Sequence, residues 1–572
     1  TEEHRLPADA GGSLVLPLLP RLPRQSALGT TTMHRHLPSR RCFSSVLLQR
    51  CALPLVLLMS GTAANAADFD VTLDFWGTTS TVGSFAWAVD QANTTPGVDT
   101  IRVQSGLQID ADNGAKLASS PTWLTRFTES VTVEGNGATL VADPAYITTG
   151  GLIATKTNIV GSPYSSPLVP GDAVVRAGVS FAQVGTFGQD NSGVDVTIRN
   201  LNADGVASLL SVNDKATLSV DGGRYTNIVN YTGVDGRSAF VANNGATLNL
   251  DGIALNKNYP FGDIIAVDND FVIFNGSISG LASTLNMQNS TITGSYGAGA
   301  LNWVGGTANV VSSVLSNSGG LQISGGDGGI VGTLNFTNSI LELNDGETMQ
   351  QTQRILTGPN GMANVEASSI LYNSVFSNGS NEPFGYEGMP LTAAQGGTIN
   401  FDSSVVVPLN WDDFFAGNDT YIELTGGNLT ADEFSFVMAT ASQDQAALQA
   451  LFNNASLTTS GDTFAISEIT GIDFFESLPQ GAVPLTTSPL VDAVSDAGSG
   501  GANELLNPID GQPLLFDVYG SPRTNGLGFR NTGAVQAAPV PEPSSWVLAG
   551  MAAGMAGWWR LRRRAAWGAD RW

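Results

Sequence analysis

The sequence reads as an all-β chain of stacked coils, a right-handed parallel β-helix, and three observations lead there. Short segments alternate apolar and polar residues with period two, which is the pattern of a strand with one buried face. Such segments recur along the chain at irregular but short intervals. Small residues follow each one: only 13% of the 572 residues are charged, against roughly 25% in an average soluble domain, while 67 are Gly.

The recurring segments are ATLSVDGGRY (216–225), ATLNLDGIAL (246–255), STLNMQNSTI (283–292), GTANVVSSVL (306–315), GTLNFTNSIL (332–341), GMANVEASSI (361–370) and GTINFDSSVV (397–406). Their central apolar positions are Val220, Leu250, Met287, Val310, Phe336, Val365 and Phe401, and a weaker member adds Ile198. The spacings are 22, 30, 37, 23, 26, 29 and 36 residues. VTVEGNGATL (131–140) has the same character. One strand cannot bury its apolar face alone, so coil must stack on coil. Gly222, Gly252, Ser312 and Ser403 then mark tight bends, and loops of varying length explain the uneven spacing. A sandwich or propeller would show regular hairpin turns within each unit, and these do not.

The two ends are targeting segments. Met33 is followed by a basic stretch (Arg35, Arg40, Arg41, Arg50), an apolar run from Ala52 to Met59, and Ala64-Asn65-Ala66. This order is that of a secretory signal, with cleavage expected before Ala67. At the other end Val540-Pro541-Glu542-Pro543 precedes an apolar stretch from Trp546 to Trp559, then Arg560, Arg562, Arg563 and Arg564. Fourteen helical residues reach about 21 Å, short of a hydrocarbon core of about 30 Å.

The C-terminal segment resembles the PEP-CTERM sorting signal, with Pro541, Glu542 and Pro543 as its motif and the four Arg as its basic stop. The resemblance implies a short transmembrane sorting helix, a passage through the inner membrane and processing by an exosortase. A second resemblance covers the flanks of the repeat. Gly83, Ser84, Ala88, Ala92-Asn93 and Pro96-Gly97-Val98-Asp99-Thr100-Ile101 match the opening of secreted bacterial β-helix proteins of the pectate-lyase-like, choice-of-anchor type, with Phe85-Ala86 where those carry Leu-Arg. Ser488, Pro489, Asp492, Pro522, Arg523, Gly533 and Ala534 match their closing segment.

The expected organisation is therefore a non-native extension (1–32), a signal peptide (33–66), an N-terminal cap with a short helix at Ala86–Ala92 (67–130), the parallel β-helix (131–407), an irregular insert with a helix at 442–454 (408–485), a C-terminal cap (486–536) and the sorting signal (537–572). All three His and both Cys lie before residue 52. The two ends hold 12 of the 25 basic and 5 of the 50 acidic residues, so residues 67–538 carry 13 basic and 45 acidic side chains, a net −32. That charge argues against a nucleic-acid partner. A core without His or Cys excludes Ser-His-Asp and Cys-His catalysis and zinc sites built on those ligands. No P-loop is present.

Carboxylate chemistry remains. The candidate acids are Asp221 with Asp251 one coil away, Asp268 with Asp270, and Asp412 with Asp413; Arg224 is a candidate basic partner. Asp-Gly at 221–222 and 251–252 is equally what a turn selects, and the weight falls on a chain without catalysis. No cofactor or metal set is expected; an acidic surface attracts Ca²⁺ in a general way, and SGGDGGIVG (324–332) resembles a single calcium-binding nonapeptide without its repetition.

The sharper feature is a polar stripe. Thr217, Thr247, Thr284, Thr307, Thr333 and Thr398 share one register, and two residues on stand Ser219, Asn249, Asn286, Asn309, Asn335, Asn364 and Asn400. Facing out, it is a candidate contact face for a glycan or ice. The competing account is structural and weighs more: Thr suits exposed strands, and stacked Asn side chains bond to one another. The functional expectation is an exported structural or adhesive protein of the cell surface or extracellular matrix, handled by signal peptidase and exosortase and in contact with extracellular polysaccharide; the alternative is a polysaccharide lyase or glycoside hydrolase.

Overall fold

The structure is a computed structural model. It describes residues 66–111, 122–142, 179–206, 208–226, 228, 238–256, 278–293, 300–318, 320–326, 329–344, 355–373, 391–408, 422–425, 427–432, 436–439, 504–523 and 533–535, together with short strands at 145–148, 153–155, 174–177, 457–460, 465–468, 475–477, 483–484, 494–495 and 529–530. Among these there is one α-helix, and the regular structure is otherwise β. The ends at 1–65 and 536–572, Asp268, Asp270, Asp412, Asp413 and the helix expected at 442–454 lie outside the described residues. No helix of the described residues is long and apolar enough to cross a membrane.

The strands form three parallel ladders. Ladder A begins at Thr122–Phe127 and ends at Ile422–Thr425. Ladder B begins at Asp68–Val71 and ends at Leu457–Ser460. Ladder C begins at Gln108–Asp110 and ends at Ala465–Glu468. Chain order runs A, B, C and back to A: Ser208–Asn213, Thr217–Asp221 and Arg224–Thr226 are followed by Phe240–Asn243, Thr247–Asp251 and Ala254–Asn256. Ile278–Gln288 and Leu301–Val311 run unbroken through A and B and join those ladders into one sheet. Parallel neighbours need a long return path; here the other two sides of each coil supply it, and the result is an all-β solenoid.

Register follows from the apolar alternation. Ile198 pairs with Val220, and onward through Leu250, Met287, Val310, Phe336 and Val365 to Phe401, one column of ladder B. Leu218, Leu248, Leu285, Ala308, Leu334, Ala363 and Ile399 form a second buried column two residues before it. Burial of each large apolar side chain contributes about 1.5–3 kcal/mol before entropic costs. A one-residue slip would turn both columns to solvent, which is why the register is unambiguous.

The bend between B and C uses a left-handed residue at one position in successive coils, Asn200, Gly222, Gly252, Asn289, Ser312, Asn338, Ala367 and Ser403, with φ from +47° to +68°, and Gly223 adds a second at φ +100°. Gly and Asn enter this region readily. The residue that follows in the later coils is a buried serine, Ser290, Ser313, Ser339, Ser368 and Ser404. Each of the first four donates its backbone N–H to the hydroxyl of the serine on the next coil, at 3.0–3.2 Å. Each hydroxyl in turn donates to the carbonyl two residues back at 2.7–2.9 Å. The polar groups of a buried corner are thereby satisfied.

Helix α1 (Phe85–Thr94) closes the start of the stack. Ser84 caps it, accepting from the Trp87 N–H at 3.2 Å. Phe85 stacks on Trp76 with centroids 4.8 Å apart, and Phe181 meets both edge-on. Asn93 donates to the Arg126 carbonyl at 2.7 Å and accepts from Thr128 N–H at 2.8 Å, covering the outer edge of ladder A's first strand. The long step from Val133 to Ile198 holds a small antiparallel sheet, Ala145–Thr148 between Ile153–Thr155 and Val174–Ala177.

Within 408–485, expected as an irregular insert, Ile422–Thr425, Asn428–Asp432, Phe436–Ala439, Leu457–Ser460 and Ala465–Glu468 join the three ladders. Ala431 and Thr459 occupy the column that holds Phe401, so the apolar signal there is weak. The described part of the closing segment lies along the side of the B–C corners. Asn338 donates to the Phe516 carbonyl at 3.0 Å, Arg523 to the Ala367 carbonyl at 3.2 Å, and Gly533 N–H to the Ser403 carbonyl at 2.9 Å.

Candidate functional site

The outward face of ladder B is the candidate site. Thr217, Thr247, Thr284, Thr307 and Thr333 pair in unbroken succession; Met362 then interrupts the column before Thr398. The described alternation makes each of these threonines half-buried and followed by a fully buried residue. Two residues on, the amides form a continuous chain. Asn249 donates to the Ser219 hydroxyl at 3.1 Å, Asn286 to Asn249 at 2.9 Å, Asn309 to Asn286 at 2.9 Å, Asn335 to Asn309 at 2.7 Å, Asn364 to Asn335 at 2.7 Å and Asn400 to Asn364 at 2.7 Å. Thr430 closes it by donating to Asn400 at 2.6 Å.

Every link donated by an Asn runs from Nδ2 to the oxygen of the preceding coil, so the amide dipoles align and polarise one another. An Asn amide has two N–H donors and two acceptor sites. The chain uses one of each and leaves the remainder along a repetitive polar stripe with a step of about 4.8 Å per coil, beside the outward carboxylates of Asp221 and Asp251. Chemically, that face matches a ligand whose hydroxyls repeat along a chain. It equally accounts for itself as a stabilising ladder.

The candidate carboxylates are partly brought together. Asp221 and Asp251 stand directly opposite each other on adjacent coils. Asp221 is half-exposed and lies 3.4 Å from the Arg199 Nε, while Arg199 Nη1 sits 2.9 Å from Glu134. Glu134, and then Asp221, hold the Arg199 guanidinium above its ordinary pKa. Asp251 accepts from the Gln288 and Asn289 amides, each at 3.0 Å. Arg224 stands across the corner on ladder C, where its backbone N–H donates to Asn202 at 2.8 Å. Among the described residues no group of three His, Cys, Asp or Glu gathers to hold a metal.

Two features carried no prior expectation. One is the buried serine column, whose signal was present in the sequence as a Ser three residues after each apolar centre from Met287 to Phe401. The other is a cavity of about 580 Å³ between the corner residues Asn289 and Ser312 and residues 513–518 and 520 of the closing segment. Leu515, Phe516 and Tyr519 are exposed at this segment. Asp517 accepts from the Tyr519 and Ser521 N–H groups at 2.9 and 2.7 Å and shapes its turn. Burial, then the Asp517 and Glu342 charges, push the Tyr519 phenol above its ordinary pKa. This groove depends on contacts between residues some two hundred positions apart, which local pattern does not reveal.

A family model described as the PEP-CTERM protein-sorting motif matches residues 539–564. No curated protein matches the chain. No solved structure matches it. The motif marks an exported protein targeted to exosortase and processed in transit through the membrane.

Proposed function

We propose that the chain is an exported right-handed parallel β-helix with a structural or adhesive role at the cell surface or in the extracellular matrix. Signal peptidase removes the leader between Ala66 and Ala67. The segment at 546–559 holds the chain transiently in the inner membrane, and exosortase acts at Pro541-Glu542-Pro543. The sorting motif at 539–564 carries this reading. The Thr and Asn face of ladder B supports an adhesive role, since its repeat suits a polysaccharide with hydroxyls along its length. Calcium is at most a general counter-ion of the acidic surface.

The test is the intact mass of the chain recovered outside the cell. It is expected to end near Pro543, and to keep its tail and stay with the membrane when Glu542 and the four Arg (560, 562, 563, 564) are replaced by Ala. Exported chains that retain residues 544–572 would overturn the processing claim. A second reading, a polysaccharide-active enzyme, is favoured by the side-by-side placement of Asp221 and Asp251; it requires glycan turnover that Asp221→Asn abolishes.

A further inference from the structure

Asp99 opens the strand Asp99–Val103 and is completely buried. Its Oδ1 accepts from the Ala67 backbone N–H at 2.7 Å. Its Oδ2 is buried and has no hydrogen-bond partner. A carboxylate buried against a single neutral amide is a costly arrangement, because desolvation far exceeds what one N–H returns. Arg102, on the same strand, is engaged instead with Asp68 at 2.7 Å, where both side chains are half-exposed. Its pairing with Asp68 leaves Asp99 without that counter-ion.

The donor is a particular nitrogen. Ala67 directly follows Ala64-Asn65-Ala66, and Ala66 is exposed while the chain from Ala67 enters the first strand. The Ala67 carbonyl accepts from the Thr100 N–H at 2.8 Å, so this residue is held on both sides. Hydrolysis of the Ala66–Ala67 bond breaks one C–N bond and consumes one water. The oxygen of that water joins Ala66 as a carboxylate, and both its hydrogens pass to nitrogen. The neutral N–H beside Asp99 becomes an α-ammonium with three donors and a full positive charge.

We propose that Asp99 is a built-in binding site for the α-ammonium that leader removal creates at Ala67, so that cleavage completes the first coil. The orphan Oδ2 then gains a donor and the buried charge gains its counter-ion. This rests on the reading of Ala66–Ala67 as the cleaved bond. Before cleavage the first coil carries an uncompensated buried charge; afterwards it carries a closed ion pair.

The experiment compares three forms of the chain through residue 572: one starting at Ala67 with a free amine, one with that amine acetylated, and one preceded by residues 64–66. Hydrogen exchange is read in 68–71 and 99–103. The free-amine form is expected to exchange about tenfold more slowly there than the other two, as a gain of about 1.4 kcal/mol would give, and Asp99→Asn is expected to erase the difference. Equal exchange in all three forms overturns the pairing, as does a difference that survives Asp99→Asn. Sequencing the amino terminus of the exported chain tests the premise separately: a start elsewhere than Ala67 overturns the proposal through its cleavage step, whatever the exchange shows.

Discussion

Ser339 and Asn309 both bond from coil to coil, and they differ in what water can replace. Ser339 Oγ accepts from the Ser313 N–H at 3.1 Å and donates to the Thr337 carbonyl at 2.8 Å, and both serines are fully buried. Removing that hydroxyl leaves the Ser313 N–H buried without its acceptor, at a cost of about 1–3 kcal/mol. Asn309 is itself buried, but it links Asn286 to Asn335, whose side chains are half-exposed, so water reaches the amide groups that its loss leaves. There water substitutes, and the loss is about 1 kcal/mol. Denaturant unfolding is therefore expected to rank Ser339→Ala as more destabilising than Asn309→Ser. The reverse order would mean that the amide chain, not the serine column, is the stronger tie between coils.

Helix α1 shows how an element protects the stack. A terminal strand offers unpaired N–H and C=O groups to any other edge, and Asn93 covers two of them at Arg126 and Thr128. The helix stands on its cap: Ser84 Oγ accepts from Trp87 and donates to the Thr78 carbonyl at 3.2 Å. Ser84→Ala is expected to destabilise the helix by about 1 kcal/mol and to speed self-association, measured by light scattering, while Ser84→Thr keeps both near their original values. The helix was legible before the structure, at 86–92 against the observed Phe85–Thr94, because its small apolar residues sit between turn signals. Ladder B was legible to the residue from Ile198 to Phe401, where the coils repeat one alternation around one apolar centre; its strands at Asn428–Asp432 and Leu457–Ser460 were not, because Ala431 and Thr459 stand in the apolar column. Ladder A was not: LQIS at 321–324 and ILT at 355–357 are too short and too varied to announce a shared register. The polar face was legible as two columns, and so was the bonding of its stacked Asn side chains from coil to coil. The course of the closing segment was not legible, because Arg523 reaches Ala367 across 156 positions.

The described coils stack in one dimension, so that each packs mainly on its neighbours. The closing segment departs from that rule. Through Phe516, Arg523 and Gly533 it joins coils that carry Asn338, Ala367 and Ser403. A cavity placed within that group should therefore spread further than one placed outside it. Phe336 and Leu218 are both fully buried on ladder B, Phe336 within the strapped coils and Leu218 before them. Truncating such a side chain costs about 3–5 kcal/mol for Phe and 2–5 kcal/mol for Leu. Phe336→Ala is expected to accelerate hydrogen exchange together in 332–337, 361–366 and 398–402, because the strap makes them open as a unit. Leu218→Ala is expected to affect 195–199 and 247–251 and to leave 398–402 protected. Equal spread of the two effects along the stack would show that the strap adds no coupling, and that neighbour contacts alone set how far a local opening travels.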